Sequence, residues 1–252
     1  MLLFSKCWLM NFRGKKNTFR GIFMNRIETI KTHFEAEAEE FDKTILKLIP
    51  HYTEMIDALV LSIPFKKDEQ ISVIDLGCGT GTVAQKIKNA FPNSKISCLD
   101  IAENMIKMAQ KKMGEKIDCY VSNFYEFTFD KKYDVIVSSL ALHHLESDED
   151  KKMFYQKIYN ALNKNGVFYN ADVVLSSNEH LQELYMAKWK AFMNKNVSLE
   201  EIENKWLVNY KSEDRPTSLM NHINWLKDIW FGDVDVVWKY YNYAVYGGSR
   251  GE

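Results

Sequence analysis

Two adjacent histidines in "LALHHLESDED", His143 and His144, are the side chains of this sequence best suited to move a proton near neutral pH, where imidazole titrates. A carboxylate, Asp172, ends a separate apolar run in "YNADVV". We predict that these three residues are catalytic, in a reaction whose acceptor loses a proton as it attacks an electrophile. The structural alternative is that the histidines pack a loop at the start of a helix and that Asp172 caps a strand.

A glycine-rich turn lies upstream of these residues. In "VIDLGCGTG", Asp75 ends an apolar run, and Gly77, Gly79 and Gly81 follow at alternate positions, where a missing side chain lets the backbone turn tightly and approach a ligand. A dinucleotide-binding turn would need glycine or alanine at Thr82, and the G-K-[ST] of a P-loop does not occur. Since glycine also serves packing alone, the turn by itself does not identify a ligand.

Asp100 ends the next apolar run, in "ISCLDIAENMIKMA", 19 residues after Gly81. A carboxylate at this place in a parallel sheet can accept hydrogen bonds from both hydroxyls of a ribose. The alternative is an N-cap for the following helix, where aspartate is favoured. Its distance from the glycines favours ribose binding.

The chain from Ile71 onward alternates short apolar runs with helical ones, which is typical of an α/β fold with a parallel sheet. The closing segment "DVDVVWKYYNYAVYGG" predicts two strands too close together for a parallel crossover, and therefore an antiparallel hairpin. The other predicted strands are Ser72–Asp75, Lys95–Asp100, Ile117–Val121, Tyr133–Ser138 and Gly166–Val173. The predicted helices of this part are Thr82–Ala90, Ala102–Met113, Asp150–Leu162 and Thr217–Trp230.

Helical segments flank this pattern. Residues 25–65 predict a helical cap of two helices separated at Pro50, and Glu179–Asn194 with Leu199–Tyr210 predict a helical lid inserted at about residues 176–215. The main domain is predicted at residues 66–247, followed by a tail at 248–252. We predict that residues 1–24 are a disordered extension, or that the start of the protein was assigned too early. The alternative is a basic arm that binds RNA or a membrane surface.

The composition excludes several classes of protein. With 33 basic and 34 acidic residues, a net charge of −1 and only five arginines, the chain shows no overall attraction to nucleic acid or an anionic membrane. No apolar stretch approaches the roughly 20 residues of a membrane span. The four cysteines lie far apart and form no C-x-x-C pair, so we predict no metal site and a reducing, cytoplasmic location.

Three segments together resemble the class I S-adenosylmethionine-dependent methyltransferases: "VIDLGCGTG", "CLDIAENMIKMA" and "YDVIVSSLALHHL". The resemblance extends over about residues 25–247 and implies a Rossmann-like fold, S-adenosyl-L-methionine as the cofactor and methyl transfer as the activity. The predicted hairpin agrees with it, because the sheet of that family ends in an antiparallel strand.

The resemblance also implies a role for each matching position. Gly77, Cys78 and Gly79 would pass under the methionine part of the cofactor, and Asp75 would fix the loop and contact the amino group. Asp100 would bind the ribose. The remaining cofactor residues would be Gly81 at the end of the turn, Ile101 and Met105 against the adenine, Phe124 alongside its ring and Ser139 at the methyl end of the pocket.

Three positions need separate mention. Asn123, in "VSNFYEF", stands where the family usually has aspartate, and its amide oxygen would accept a hydrogen bond from the adenine amino group. By resemblance to the branch of carboxy-S-adenosylmethionine synthases and wobble-uridine tRNA methyltransferases, Tyr52 would help to close the cofactor pocket. In that branch the extra carboxylate needs a partner, and Arg215 is the candidate substrate residue, with the start of a surface helix as the alternative role.

The sequence thus predicts a cytoplasmic S-adenosylmethionine-dependent methyltransferase with a small-molecule acceptor. Two enzymatic alternatives stay open, a tRNA wobble-uridine modification enzyme and a carboxy-S-adenosylmethionine synthase. An alternative of another class is a protein that binds S-adenosylmethionine without catalysis and regulates a partner. A homodimer is also left open.

Overall fold

The sheet of this protein has seven strands in the order β3-β2-β1-β4-β5-β7-β6. The computed structural model describes residues 25–114 and 117–251, so the prediction for residues 1–24 lies outside the described residues. Strands β1 to β5 are parallel, and β7 and β6 complete the sheet in antiparallel pairing, as predicted. The strands are β1 Ser72–Leu76, β2 Lys95–Asp100, β3 Asp118–Val121, β4 Tyr133–Ser139, β5 Leu162–Val173, β6 Phe231–Tyr240 and β7 Tyr243–Arg250.

Helices cover both faces of the sheet. Successive side chains of a strand point to opposite faces, and both sets are apolar here, so both faces have to be buried. Val73 of β1 belongs to one buried cluster, together with Ile56 and Val83, whereas its neighbour Ile74 belongs to a second cluster with Phe154. The helices are α1 at residues 25–37, α2 Phe41–Leu48, α3 Tyr52–Leu61, α4 Thr82–Ala90, α5 Glu103–Met113, α6 Asp148–Ala161, α7 Glu179–Met193, α8 Leu199–Glu201, α9 Leu207–Glu213 and α10 Leu219–Asp228, with a π-helical turn Ile202–Trp206 between α8 and α9.

The strand order reverses next to β1. From β1 the chain adds β2 and β3 on one side, and it then crosses to β4 and β5 on the other. Ligands of open α/β sheets bind beyond the carboxyl ends of the strands at such a reversal. The crevice of this sheet therefore opens where β1 ends at Leu76 and β4 ends at Ser139.

The cap and the lid helices are attached to the sheet layer through polar contacts. Glu35 of α1 accepts hydrogen bonds from the backbone amides of Glu103 and Asn104 at the start of α5, at 2.6 and 2.8 Å. The indole of Trp189 in α7 donates to the carbonyl of Leu48 in α2 at 2.8 Å. These bonds hold α1 and α2 over the crevice, with α7 beside them.

Several predicted bounds differ from the observed ones. The part of the cap before Pro50, predicted as one helix, is two helices, α1 and α2. β5 begins at Leu162, directly after α6, and not at Gly166. β7 continues to Arg250, so residues 248–250, predicted as part of a tail, belong to the sheet, and Arg250 donates a 2.7 Å hydrogen bond to the carbonyl of Leu162. Within residues 25–114 and 117–251, no helix has both the length and the apolar character needed to cross a membrane.

Candidate functional site

A cavity lies at the crevice, where small-molecule ligands of such sheets bind. Every predicted cofactor residue except Gly81 lines it. The members of this set are Tyr52, Asp75, Gly77, Cys78, Gly79, Asp100, Ile101, Met105, Asn123, Phe124 and Ser139. We call this space the first cavity.

The glycine turn has the conformation that glycine alone adopts easily. Gly77 has φ +71°, and a Cβ on it would lie 2.2 Å from the Cβ of Ala141. Gly81 has φ +81° and precedes α4, and a Cβ there would lie 3.0 Å from the Cβ of Ala109. Gly77 therefore keeps the wall of the first cavity open, whereas Gly81 lets α4 pack against α5.

Asp75 presents an unsatisfied carboxylate oxygen in the first cavity. The side chain is fully buried, and its Oδ2 accepts a hydrogen bond from the amide of Ala84 at 3.2 Å. No described residue donates to its buried Oδ1. Burial raises the pKa of Asp75 to about 7, with the hydrogen bond from Ala84 opposing the shift and the charge of Asp100 adding to it. A ligand ammonium would satisfy Oδ1 and stabilise the charge.

Asp100 holds the glycine turn as well as facing the cavity. Its Oδ2 accepts from the amide of Gly79 at 2.8 Å, and its Oδ1 accepts from the amide of Ala102 at 2.9 Å. Burial raises the pKa of Asp100 to about 6, although these hydrogen bonds oppose the shift. Each carboxylate oxygen has a second acceptor site, so the two ribose hydroxyls can still bind. The two roles considered from the sequence, capping and ribose binding, are thus compatible.

The adenine side of the first cavity differs from the sequence-based expectation at Asn123. Its Oδ1 accepts hydrogen bonds from the amides of Tyr125 and Glu126, both at 3.0 Å, and its Nδ2 donates to Glu126 at 2.9 Å. An amide oxygen has two acceptor sites, and both are occupied by the turn. Asn123 therefore shapes the wall of the cavity, and its amide oxygen is not free to accept from an adenine amino group. Phe124 lines the cavity beside it.

The cap supplies cavity residues that the sequence did not assign to ligand binding. Ile27, Ile30 and Phe34 of α1 line the first cavity, as does Phe41 at the start of α2. Their helical spacing is typical of a packed face, so periodicity alone does not separate packing from ligand binding. Tyr52 lines the cavity from α3, and burial together with the charges of Asp75 and Asp42 raises its pKa, so that its phenol stays neutral.

A polar cluster fixes the cap to the glycine turn. Asp42 of α2 accepts hydrogen bonds from the hydroxyls of Thr80 and Thr82 at 2.5 and 3.1 Å. Lys112 of α5 donates to Asp42 at 2.7 Å and to both threonines. The glycine turn therefore binds helix α2, which covers the first cavity, through the side chains of Thr80 and Thr82.

A second cavity lies between the cap and the helices α7 to α9. It shares part of its wall with the first cavity, formed by Phe34, Phe41, Leu140 and His144. Its other aromatic walls are Trp189, Trp206, Tyr210 and Tyr243, and its polar lining is His33, Glu37, Thr44, His143, Asn209, Glu213 and Asp214.

His143 is held in an ion pair and does not have the properties of a general base. Its Nδ1 lies 2.5 Å from Asp172 Oδ1, and its Nε2 lies 3.4 Å from Asp214 Oδ1. Burial alone would lower the pKa of His143, but the charges of these two carboxylates outweigh it and raise the pKa to about 10. His143 is therefore an imidazolium at neutral pH, and Asp172 is its counter-ion and does not line either cavity. These contacts are those of a positioning pair, and the catalytic role of His143 and Asp172 stays a prediction.

His144, unlike His143, has a neutral imidazole that can accept a proton. Burial and the positive charge of His143 together lower its pKa to about 4, although the charge of Asp214 opposes the shift. Its Nδ1 lies 3.3 Å from the carbonyl oxygen of Glu213, which can only accept, so this nitrogen carries the proton. Its Nε2 makes no hydrogen bond with a described residue and keeps a free lone pair. His144 is thus a neutral imidazole in the wall that separates the two cavities.

The predicted substrate residue Arg215 does not line either cavity. Its Nε lies 3.4 Å from Glu146 Oε1, and its Nη1 donates to the carbonyl of Asp214 at 2.7 Å. Glu146 also pairs with Arg26 of α1. Arg215 therefore fastens the end of α9 to the loop after β4, which corresponds to the structural alternative.

Ligand atoms of His143, His144 and Asp214 lie within 4.8 Å of one another, a spacing that would admit a metal ion. The charges favour an ion-pair network instead. His143 carries a proton between two carboxylates, and this proton supplies the positive charge that a metal ion would bring.

Comparisons with known proteins agree with the geometry of the first cavity. A family model described as a methyltransferase domain matches residues 73–166. Malonyl-[acyl-carrier protein] O-methyltransferase 1 of Ilyobacter polytropus is 32% identical over 114 residues, which are 44% of this chain and 41% of that protein. The chain therefore spans less than half of the length of that relative.

Other likenesses extend over nearly the whole chain. Carboxy-S-adenosyl-L-methionine synthase of Nautilia profundicola is 24% identical over 233 residues, which are 89% of this chain and 97% of that protein. The solved structure "DhpI-SAM-HEP complex" covers 88% of this chain and 96% of its own, with a TM-score of 0.61 and 17% identity. Human N-acetylserotonin methyltransferase in complex with SAM covers 91% of this chain and 57% of its own, with a TM-score of 0.54 and 16% identity. At these identities the solved structures support the fold alone.

Proposed function

We propose that this chain transfers a methyl group to a small molecule bound in the second cavity. The premise is that it belongs to the class I S-adenosylmethionine-dependent methyltransferases. The observation that carries the proposal is the shared wall of the two cavities at Phe34, Phe41, Leu140 and His144. A cofactor in the first cavity and an acceptor in the second would meet at this wall.

The residues of the first cavity fit S-adenosylmethionine. The unsatisfied Oδ1 of Asp75 suits the amino group of its methionine part, and Asp100 suits the ribose. The bound cofactor supplies an electrophilic methyl group on a sulfonium. The protein then has to align the acceptor within about 3–3.5 Å of that methyl carbon and exclude water.

His144 is the residue that we assign to proton removal. Its Nε2 has a free lone pair that can accept a proton from the acceptor, and because its pKa is about 4 it passes this proton on to solvent and does not retain it. The His143–Asp172 pair positions His144 through the chain, because the two histidines are adjacent and their ring centroids lie 4.2 Å apart.

Two enzymatic alternatives receive less support. A carboxylated cofactor would need a cation for its extra carboxylate, and no lysine or arginine of the described residues lines the first cavity. A tRNA acceptor would need phosphate contacts, yet Arg26, Arg215 and Arg250, the arginines between residues 25 and 251, all donate to backbone carbonyls of the protein itself. A cofactor-binding regulator without catalysis would not need the second cavity.

Titration calorimetry tests the cofactor half of the proposal. S-adenosylmethionine and S-adenosylhomocysteine should bind, NAD should not, and carboxy-S-adenosylmethionine should bind no more tightly than S-adenosylmethionine. Asp100→Ala should weaken binding by roughly 1.5–3 kcal/mol, because it removes hydrogen bonds to a charged group. Asp118→Ala is the matched control, since Asp118 is an exposed aspartate on the neighbouring strand β3. Binding of NAD alone, or an unchanged affinity in Asp100→Ala, would contradict the assignment.

A screen with methyl-labelled S-adenosylmethionine tests the transfer half. We expect label in a low-molecular-weight metabolite and none in bulk tRNA. Binding of the cofactor without label in any acceptor would favour the regulatory alternative.

A further inference from the structure

The second cavity carries carboxylates whose oxygens are only partly satisfied. Asp214 faces His143 and His144 through Oδ1 at 3.4 and 3.5 Å, and no described residue donates to its Oδ2. Glu213 binds His33 through Oε2 at 2.7 Å, and its Oε1 has no partner among residues 25–114 and 117–251. The side chains of Glu213 and Asp214 are only 7% and 18% exposed, so most of their surface is shielded from bulk water.

The charge of the lining is negative. Glu37, Glu213 and Asp214 are its carboxylates, and His33 and His143 are its cations. Burial alone would lower the pKa of His33, but its hydrogen bonds with Glu213 and Glu37 outweigh this and raise the pKa to about 9. His144 is neutral, and the described lining contains no lysine or arginine. One negative charge is therefore left over, which disfavours an anionic acceptor and favours a cationic one.

The aromatic rings of the second cavity suit a cation as well. Trp189 and Tyr210 meet edge to face with ring centroids 5.3 Å apart, and Trp206, Tyr243 and Phe41 complete the walls. The faces of aromatic rings attract ammonium groups, most strongly where water is excluded. The same rings would pack against an apolar or aromatic body.

We propose that the acceptor is an amine: a primary or secondary amino group on an apolar or aromatic body, whose ammonium form is held by Asp214 and Glu213. This inference rests on the function proposed above and specifies its acceptor.

The reaction balances without a further reactant. The bound ammonium loses one proton through His144 Nε2 to solvent and becomes a neutral amine. The nitrogen lone pair forms a bond to the methyl carbon while the carbon–sulfur bond breaks and its electron pair stays on sulfur. The products are S-adenosylhomocysteine and a methylated ammonium, whose positive charge lies next to Asp214.

The test compares three probes of matched size, 2-phenylethylamine, 2-phenylethanol and 3-phenylpropanoate, by calorimetry on the full chain with and without S-adenosylhomocysteine. The amine should bind about tenfold or more tightly than the alcohol, which corresponds to one charge-assisted hydrogen bond, and the carboxylate should bind most weakly. Asp214→Asn and Glu213→Gln should each remove about this tenfold preference. Glu203→Gln is the control, because Glu203 is an exposed glutamate of the neighbouring π turn that pairs with Lys190.

S-adenosylhomocysteine affinity, measured on each variant, reports whether the first cavity is intact. The proposal is overturned if the alcohol or the carboxylate binds as tightly as the amine, if none of the three probes binds, or if both variants keep the amine preference while the cofactor still binds. Failure of S-adenosylhomocysteine to bind the unmodified chain would instead contradict the methyltransferase function. In that case the affinities of the three probes, measured without cofactor, would still show whether the second cavity prefers a cation.

Discussion

Asp75→Asn should stabilise the protein and weaken its binding of the cofactor, and a change of pH separates the two effects. The pKa of Asp75 rises from an ordinary 3.8 to about 7 in the fully buried site. Since the folded value lies above the unfolded one, ionisation of Asp75 destabilises the folded protein progressively from about pH 4 to about pH 7. A shift of about three units corresponds to roughly 4 kcal/mol when the penalty is complete.

Asparagine carries no such penalty, so the stabilisation by Asp75→Asn should be larger at pH 8 than at pH 5 by about 2–3 kcal/mol. The new amide nitrogen in place of Oδ1 adds a cost that does not depend on pH and cancels in this difference. Urea unfolding followed by tryptophan fluorescence gives the free energies at both pH values. Asp57→Asn is the control, because Asp57 is half-exposed and pairs with Lys86.

The same variant should bind S-adenosylhomocysteine at least about tenfold more weakly, because the ligand ammonium loses a charged acceptor. A stability gain that is equal at pH 5 and pH 8 would refute the raised pKa. An unchanged affinity would refute the contact between Asp75 and the amino group. The two results are independent, so each part of the reasoning can fail alone.

Four further outcomes are expected. His144→Gln should lower kcat by about 10²–10⁴-fold, as loss of a general base does, with S-adenosylhomocysteine affinity in calorimetry unchanged; a similar kcat would exclude His144 as the base. Asp172→Asn should lower the free energy of unfolding in urea by about 3–5 kcal/mol, because it leaves the buried His143 charge without its nearest partner. This loss should diminish as the pH approaches 10, where His143 loses its proton. A loss that does not depend on pH would speak against an imidazolium at His143. Arg215→Ala should leave S-adenosylhomocysteine affinity unchanged, since Arg215 pairs with Glu146 outside both cavities, and a weaker binding would return it to the site. Dialysis against EDTA should leave kcat unchanged, whereas a loss that Zn²⁺ or Mg²⁺ restores would turn the cluster around His143 into a metal site.

The sheet was predictable because its signals are local. Each parallel strand is a short apolar run followed by a helix, and the hairpin follows from the short distance between its two strands. The start of β5 was missed because "LNKNG", from Leu162 to Gly166, contains polar residues typical of a loop. In the sheet they form an irregularity between the pairs Tyr133–Leu162 and Val135–Val167 of β4 and β5. The π turn Ile202–Trp206 has no composition that distinguishes it from an α-helix.

The first cavity was predictable for the same reason, since its residues follow directly after strands whose carboxyl ends meet. The roles of individual residues could not be predicted in the same way, because they depend on hydrogen bonds and ion pairs that form only in the folded chain. Asn123 was assigned to adenine because the sequence does not show that its oxygen binds the next turn. His143 and His144 look equivalent as letters, and only the carboxylates of Asp172 and Asp214 make one a cation and leave the other neutral. Glu213 and Asp214 lie at the end of a polar helix, where acids usually face solvent.

The distribution of charge over the two cavities gives a direction to the reaction. In the first cavity burial raises the cost of ionising Asp75 and Asp100, and the charge of Asp100 adds to that cost at Asp75. A cationic sulfonium ligand would relieve this cost. An ammonium in the second cavity would then stand next to a second positive charge, which favours loss of its proton before attack. Transfer moves the positive charge from sulfur to nitrogen, and thus into the second cavity, which Asp214 and Glu213 line. Relative to the neutral amine that attacks, these acids stabilise the transition state, in which positive charge develops on the nitrogen.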